Sequence, residues 1–337
     1  MSAGGPLPSV PARLAWAVGV AAFAFAASLP AWANPGFLFI AGLVLVQALF
    51  AMSWNILFGY AGLASFGHAG FFGIGAYTVG ALLRYQVPLP FVLMLVCATL
   101  LGALVALVIG SVVLRRLSGI FLAVLTVALA EILRLVIGYA RFLSAEDGLS
   151  NIPRPRVDLG FTVLDLASAE ACYLFLLGVV CLAAVALWWL LHSRYGRLFQ
   201  VIRQDPERAA FLGIDVARWR IVAFMISGAV AALAGALYAP WTRVVTLEEL
   251  HWLQSLKPML YTLLGGVGSF WGPAIGAAVF ALIDYQTRLY PGVAELIVGT
   301  ALILIILVAP AGIAGLVRLL LGASDRVGRG PEAGESS

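Results

Sequence analysis

The sequence predicts an all-α, polytopic membrane bundle of about ten segments, two of them interrupted by glycine and proline. Three observations lead there. Hydrophobic residues make up 63% of the 337-residue chain and charged ones 11%, which is more apolar surface than one soluble core buries. The apolar residues gather into long runs, and a helix of about 20 such residues crosses a bilayer. Arginine, the main source of the net charge of +4, is enriched in alternate connections, as cytoplasmic loops require.

The first segment is Arg13 followed by the apolar run from Leu14 to Leu29 and by Ala31-Trp32-Ala33. This is the layout of a signal peptide. A first membrane helix leading straight into a second apolar run explains the same residues and suits a polytopic chain better. Runs from Gly36 to Phe58, Leu63 to Leu83, Phe91 to Leu114, Gly119 to Ala140 and Ala171 to Leu191 follow. After a charged stretch come Trp219 to Ala239, a short interrupted segment near Leu253 to Gly268, Gly272 to Tyr285, and Ala294 to Ala309.

Ten crossings with an internal N-terminus place Arg115-Arg116, the 194–220 stretch and a tail with Arg318, Arg326 and Arg329 in the cytoplasm; nine would misplace the tail. Residues 1–321 then form one transmembrane domain, with loop 193–218 inside. Connection 141–170, carrying Glu146, Asp147, Arg154, Arg156 and Asp158, lies outside, where it serves as an ordinary solvated loop or receives a partner. Residues 322–337, rich in Gly, Ser and Glu, form a disordered tail. Both termini are cytoplasmic. Cys97, Cys172 and Cys181 lie in apolar runs without metal-ligand spacing and read as small buried hydrophobes. The positive charge reports orientation and calls for no nucleic acid.

Between the apolar runs, Arg194 to Arg220 is the long charged segment. Inside it the spacing predicts a helix from Pro206 to Leu212. Asp205 is the N-cap, Pro206 the first helical residue and Gly213 the C′ position where φ turns positive. Such a helix is only ~10 Å long and needs bracing by neighbours or a partner. Ala209, Ala210 and Leu212 offer a close apolar approach, while Glu207 and Arg208 offer charge. On composition alone, a solvated loop whose arginines fix topology is the simpler reading, and a docking element is the alternative.

Two stretches are dense in glycine: Gly59-Tyr-Ala-Gly-Leu-Ala-Ser-Phe-Gly-His-Ala-Gly-Phe-Phe-Gly-Ile-Gly-Ala-Tyr77 and Leu264-Gly-Gly-Val-Gly-Ser-Phe-Trp-Gly-Pro-Ala-Ile-Gly-Ala277. In lipid, such density marks close backbone packing or a helix broken beside a cavity. Both carry a Ser-Phe pair and fall on the cytoplasmic side, as a parallel internal duplication would produce. Paired, interrupted segments are the sequence pointer to a transport path. Its candidate residues are Ser65, His68, Gly73, Gly75, Gly265, Gly266, Gly268 and Ser269, joined by Glu131. Competing structural roles exist for each: small-residue packing for the glycines, capture of a broken-helix carbonyl for His68, and an ion pair with Arg134, three residues on, for Glu131. Arg84 and Asp284, near segment ends, can snorkel. No phosphate loop, HExxH helix or nucleophile elbow is present. The chain therefore reads as no enzyme, with no metal site and no cofactor of its own.

The glycine-rich stretch from Gly59 to Tyr77 resembles the signature of permeases in branched-chain amino-acid ABC transporters, the LivM-like and LivH-like subunits. Further matches follow in order: Glu131-Ile-Leu-Arg134, Asp147-Gly-Leu-Ser-Asn-Ile-Pro153, the loop from Glu207 to Asp215, Gly265 to Pro273, and Pro310 to Gly315. In the loop, Glu207, Ala209, Ala210 and Gly213 match the family's Glu-Ala-Ala frame, with Arg208 intruding. Two departures stand out. Leu143 to Asp147 lacks a threonine- and glycine-rich run, and Val308 to Ala311 lacks a basic residue beside the proline.

The resemblance implies a LivM-like permease subunit in the bacterial inner membrane that moves branched-chain amino acids or a related small solute by alternating access. It also implies a related LivH-like second permease, a periplasmic solute-binding protein, and ATPase subunits that use ATP and receive Asp205, Pro206, Glu207, Arg208, Ala209, Ala210 and Gly213. A secondary transporter driven by an ion gradient is the alternative, and it needs a midplane carboxylate. Glu131 is the candidate for that role.

Overall fold

A computed structural model of the chain describes residues 23–114, 119–143, 147–158 and 163–287, with isolated positions from 293 to 315. The helices are α1 (Phe23–Trp32), α2 (Pro35–Asn55), α3 (His68–Arg84), α4 (Phe91–Val113), α5 (Ile120–Tyr139), α6 (Ala169–His192), α7 (Arg194–Gln204), α8 (Pro206–Phe211), α9 (Val216–Thr242), α10 (Leu256–Gly265) and α11 (Gly272–Thr287). Side-chain oxygens cap several of them in the connections: Asn34 accepts from Phe37 N–H, Ser168 from Ala171 N–H and Asp215 from Arg218 N–H, each worth ~1 kcal/mol.

Among the described residues, five helical stretches are long and apolar enough to cross a membrane: Pro35–Ala61, Phe91–Val113, Phe121–Tyr139, Ala169–His192 and Val216–Thr242. The protein is a multi-pass, all-α membrane bundle. The finer expectation of about ten crossings rests also on the shorter α3, α10 and α11. The expected run from 294 to 309 is described only at isolated positions. Arg13, Arg115, Arg116, Glu146 and the tail 322–337 lie outside the described residues.

The bundle has two ends. One end carries α8, the other the 147–165 connection. At the second end a short hairpin, β1 (Arg156–Asp158) and β2 (Val163–Asp165), pairs antiparallel with Val157 opposite Leu164. The connection read as a loop is thus partly sheet. It is also fastened to the chain beyond α9, because Leu149 and Val245 exchange backbone bonds of 2.8 Å and Ile152 N–H reaches Arg243 O at 3.1 Å. Backbone groups near lipid need such internal partners.

Helix α9 is the hub, packed by α2, α3 and α4. Its buried face is rich in small residues, including Ala223, Gly228, Ala231, Ala232, Gly235 and Ala239, so neighbouring backbones come close enough for extensive dispersion contact. A side chain on Gly235 would strike the Phe72 carbonyl, and one on Gly75 the Ala232 carbonyl. The outward faces of α4 to α6 stay apolar, with Leu104, Val112, Val124 and Leu182 more than half exposed. In water such a surface would aggregate. In a bilayer it meets lipid.

Candidate functional site

The two glycine-rich stretches meet at the α8 end. The run expected from Leu63 to Leu83 is not one helix. Past Asn55 the chain makes a π-helical turn over Ile56–Ala61, Gly62 turns it with φ +71, and α3 begins only at His68. The second stretch repeats the plan: α10 ends at Gly265, a loop with positive φ at Gly266 and Gly268 follows, and α11 starts at Gly272.

Asn55, buried at the end of α2, joins the two turns. Its amide donates to Ser269 O at 2.9 Å and its carbonyl accepts from Gly268 N–H at 3.1 Å. Both amide functions are thereby satisfied across 213–214 residues of sequence. Arg203 of α7 donates to Gly59 O, which ties the charged segment to the same junction.

The short helix of the charged segment takes the predicted form. Asp205 Oδ1 accepts from Glu207 N–H and Arg208 N–H at 3.1 and 3.0 Å, its other oxygen pairs with Arg208 at 2.8 Å, and Gly213 has φ +80. Two details differ from the sequence reading. The helix stops at Phe211, with Leu212 as its C-cap. Ala209 is fully buried against its own chain, so it is unavailable for close approach by another protein. The exposed apolar pair is Phe211 and Leu212, 91% and 77% exposed. Phe211 was passed over in the sequence although it is the one aromatic residue of this short helix. Its exposure is decided by which face of α8 leans on α7 and α9.

Above the junction lies a buried polar layer where α2, α3, α9 and the irregular lead into α10 meet. His68 Nε2 is 2.8 Å from Ser227 Oγ, which donates to Ser53 O at 2.6 Å. The ring thus meets the Ser227 hydroxyl, with the Ser53 carbonyl also in its reach. Ser65 is buried too, its carbonyl accepting from Trp54 Nε1 at 2.9 Å, and Ala69 N–H donates to Ser255 Oγ at 2.9 Å. Ser65 Oγ and His68 Nδ1 are buried without a hydrogen-bond partner.

The remaining candidates separate. Gly73 abuts Leu250, Gly75 the α9 backbone, and Gly265 the Gly272 carbonyl, so all three serve close packing in this conformation. Ser269 Oγ donates to Gly266 O at 3.0 Å and accepts from Gly272 N–H at 3.0 Å, capping α11. Glu131 pairs with Arg134 at 2.8 Å on the flank of α5. Arg84 reaches Ser150 O at 2.9 Å at the hairpin end. Among the described residues no group of His, Cys, Asp and Glu is arranged to hold a metal ion.

The comparison with known proteins decides the family. Residues 36–309 match the model of "Branched-chain amino acid transport system / permease component". The chain belongs to this family. It is 28% identical, over 93% of its own length and 78% of the relative's, to the high-affinity branched-chain amino acid transport system permease protein LivM of Escherichia coli strain K12. It is 26% identical to LivH of the same organism, covering 80% of this chain and 91% of that one. The probable branched-chain amino acid transport permease protein LivM of Methanocaldococcus jannaschii is 24% identical over 71% of this chain. No solved structure matches it. The family match spans both glycine turns, the Asn55 junction and α8.

Proposed function

We propose that this protein is the LivM-like permease subunit of an ATP-driven importer, moving branched-chain amino acids or a closely related small solute across the bacterial inner membrane by alternating access. The observation that supports it most directly is the bond from Arg203 to Gly59 within a chain of this family. It ties α7, the helix directly before the exposed α8, to the turn that leads into α3.

On this reading α8 faces the cytoplasm and seats in an ATPase subunit through Glu207, Arg208, Ala210, Phe211 and Leu212, with Asp205, Pro206 and Gly213 setting its shape. ATP is bound and hydrolysed there, and this chain carries no cofactor. A related second permease pairs with it, and a binding protein delivers solute at the hairpin end, outside the membrane. Both termini are cytoplasmic. The solute passes through the layer of Ser65, His68 and Ser227. That layer is closed in this conformation, and separation of α3 from α9 would open it.

The test is co-purification from native membranes in mild detergent, comparing wild type with Phe211→Asp and Glu207→Lys. Recovery of an ATPase with wild type and its loss with both variants supports the reading. Absence of any ATPase from folded wild-type protein overturns it.

A further inference from the structure

The connection between α9 and α10 holds a carboxylate that the transport path above does not use. Residues Leu247–Leu250 and Trp252–Ser255 form two short 3-10 turns folded in against α3 and α5. Glu249 in the first turn points inward. Its Oε1 accepts from the Tyr238 hydroxyl at 2.7 Å and its Oε2 from Gln254 Nε2 at 3.3 Å. Among the described residues no cation lies within ion-pair distance of it. Lys257 and the hydroxyls of Tyr77 and Tyr261 are within electrostatic reach, and the Tyr77 hydroxyl is buried with no hydrogen-bond partner.

A carboxylate removed from water is costly unless paired. Two neutral donors satisfy only part of its capacity. The Tyr77 hydroxyl, in electrostatic reach of Glu249, adds an unused polar group. The location suits an incoming solute. Val245, four residues before Glu249, is bonded to Leu149 at the hairpin end. Leu250 sits against Gly73, one turn of α3 above Ala69, whose N–H is held by Ser255. Glu249 thus stands between the outer connection and the polar layer at His68.

We propose that Glu249, with Tyr238, Gln254 and Tyr77, binds the primary ammonium group of the transported amino acid as it leaves the outer end. The inference rests on the amino-acid reading given above. An ammonium supplies three donors, enough for the carboxylate and a tyrosine oxygen, and its positive charge gives Glu249 the direct ion-pair partner that Lys257, in electrostatic reach but outside ion-pair distance, does not supply.

The experiment uses the complete transporter in proteoliposomes with its binding protein and ATPase, and measures ATP-driven uptake of labelled leucine by wild type, Glu249→Gln and Glu249→Asp. In parallel, the thermal midpoint of the permease–ATPase complex is recorded with and without millimolar leucine, isopentylamine (ammonium only) or 4-methylpentanoate (carboxylate only). The expected result is a ligand-induced rise with leucine and isopentylamine, but not with 4-methylpentanoate. Glu249→Gln abolishes that rise and lowers the maximal leucine rate at least tenfold, with normal assembly, and Glu249→Asp retains part of both. If Glu249→Gln keeps the ligand-induced rise and the leucine rate, Glu249 is a structural residue and the inference fails while the importer reading stands. If the wild-type complex moves no amino acid, both fail together.

Discussion

Replacing Asn55 by alanine tests whether the two glycine turns act as one unit. The substitution removes both bonds between α2 and the 266–271 turn, to Ser269 O and Gly268 N–H. A hydrogen bond contributes ~0.5–1.5 kcal/mol net, and stranding a buried partner costs ~1–3 kcal/mol. Asn55 is 2% exposed, but Gly268 and Ser269 are only partly buried, so water regains some of what is lost. The sum is ~2 kcal/mol of local stability. Hydrogen exchange read by mass spectrometry on the protein in nanodiscs measures it directly. Amides of residues 266–271 should exchange roughly 30-fold faster, at 1.4 kcal/mol per decade, while those of α4 and α6 stay unchanged. Asn55→Asp keeps the acceptor for Gly268 N–H, loses the donor to Ser269 O, and adds a buried charge; it should loosen the same turn. Equal exchange at 266–271 in Asn55→Ala and wild type would refute the claim that Asn55 holds the junction.

Three further outcomes follow from the same geometry. Gly213→Ala forces a Cβ into φ +80 at ~1–2 kcal/mol. It should weaken ATPase binding about tenfold in titration while leaving the thermal midpoint of the membrane core where it was; equal affinity would show that the C-terminal turn of α8 does not shape the dock. Gly75→Val drives side-chain atoms onto the Ala232 carbonyl and should abolish monodisperse protein on size exclusion. Gly178→Ala, with open space around its Cβ, should not, and equal behaviour of the two would refute the close-packing role. Arg203→Ala removes the link to Gly59, so the ATPase should still co-purify while transport per ATP hydrolysed falls several-fold. Unchanged coupling in proteoliposomes would remove Arg203 from the relay.

Local features were legible in the sequence because local chemistry determines them. Asp205, Pro206 and Gly213 each occupy a helix-end position that few other residues fit, and Glu131 and Arg134 pair through helical spacing alone. The long apolar runs were legible as helices, but their partners were not. In lipid the outward face is as apolar as the inward one, so periodicity does not mark a buried stripe as it does in a soluble helix. Nothing in the run from Trp219 to Ala239 distinguished α9 as the hub except its alanines and glycines. Glu249 escaped notice for a related reason. It follows Arg243 in a short polar-looking connection, where a carboxylate reads as solvated, and only folding of that connection against α3 and α5 partly buries it. Asn55 lay unremarked near the end of an apolar run, its partner 214 residues away.

The arrangement explains why breaks in the helices sit where they do. A continuous helix resists bending because each turn is hydrogen-bonded to the next, so a pull at one end moves the whole rod. α3 starts at the polar layer instead of at the α8 end, and α10 begins only after an irregular lead-in. Between those breaks and α8 stand the positive-φ turns at Gly62, Gly266 and Gly268, joined to each other by Asn55 and to α7 by Arg203. If the proposed ATPase displaces α8, the displacement enters at turns that can change φ and ψ cheaply, and it reaches α3 and α11 at their first residues. The first residue of α3 is His68 itself, bonded to Ser227. The same break that leaves His68 Nδ1 without a partner therefore allows the layer around it to part without unwinding a membrane-spanning helix.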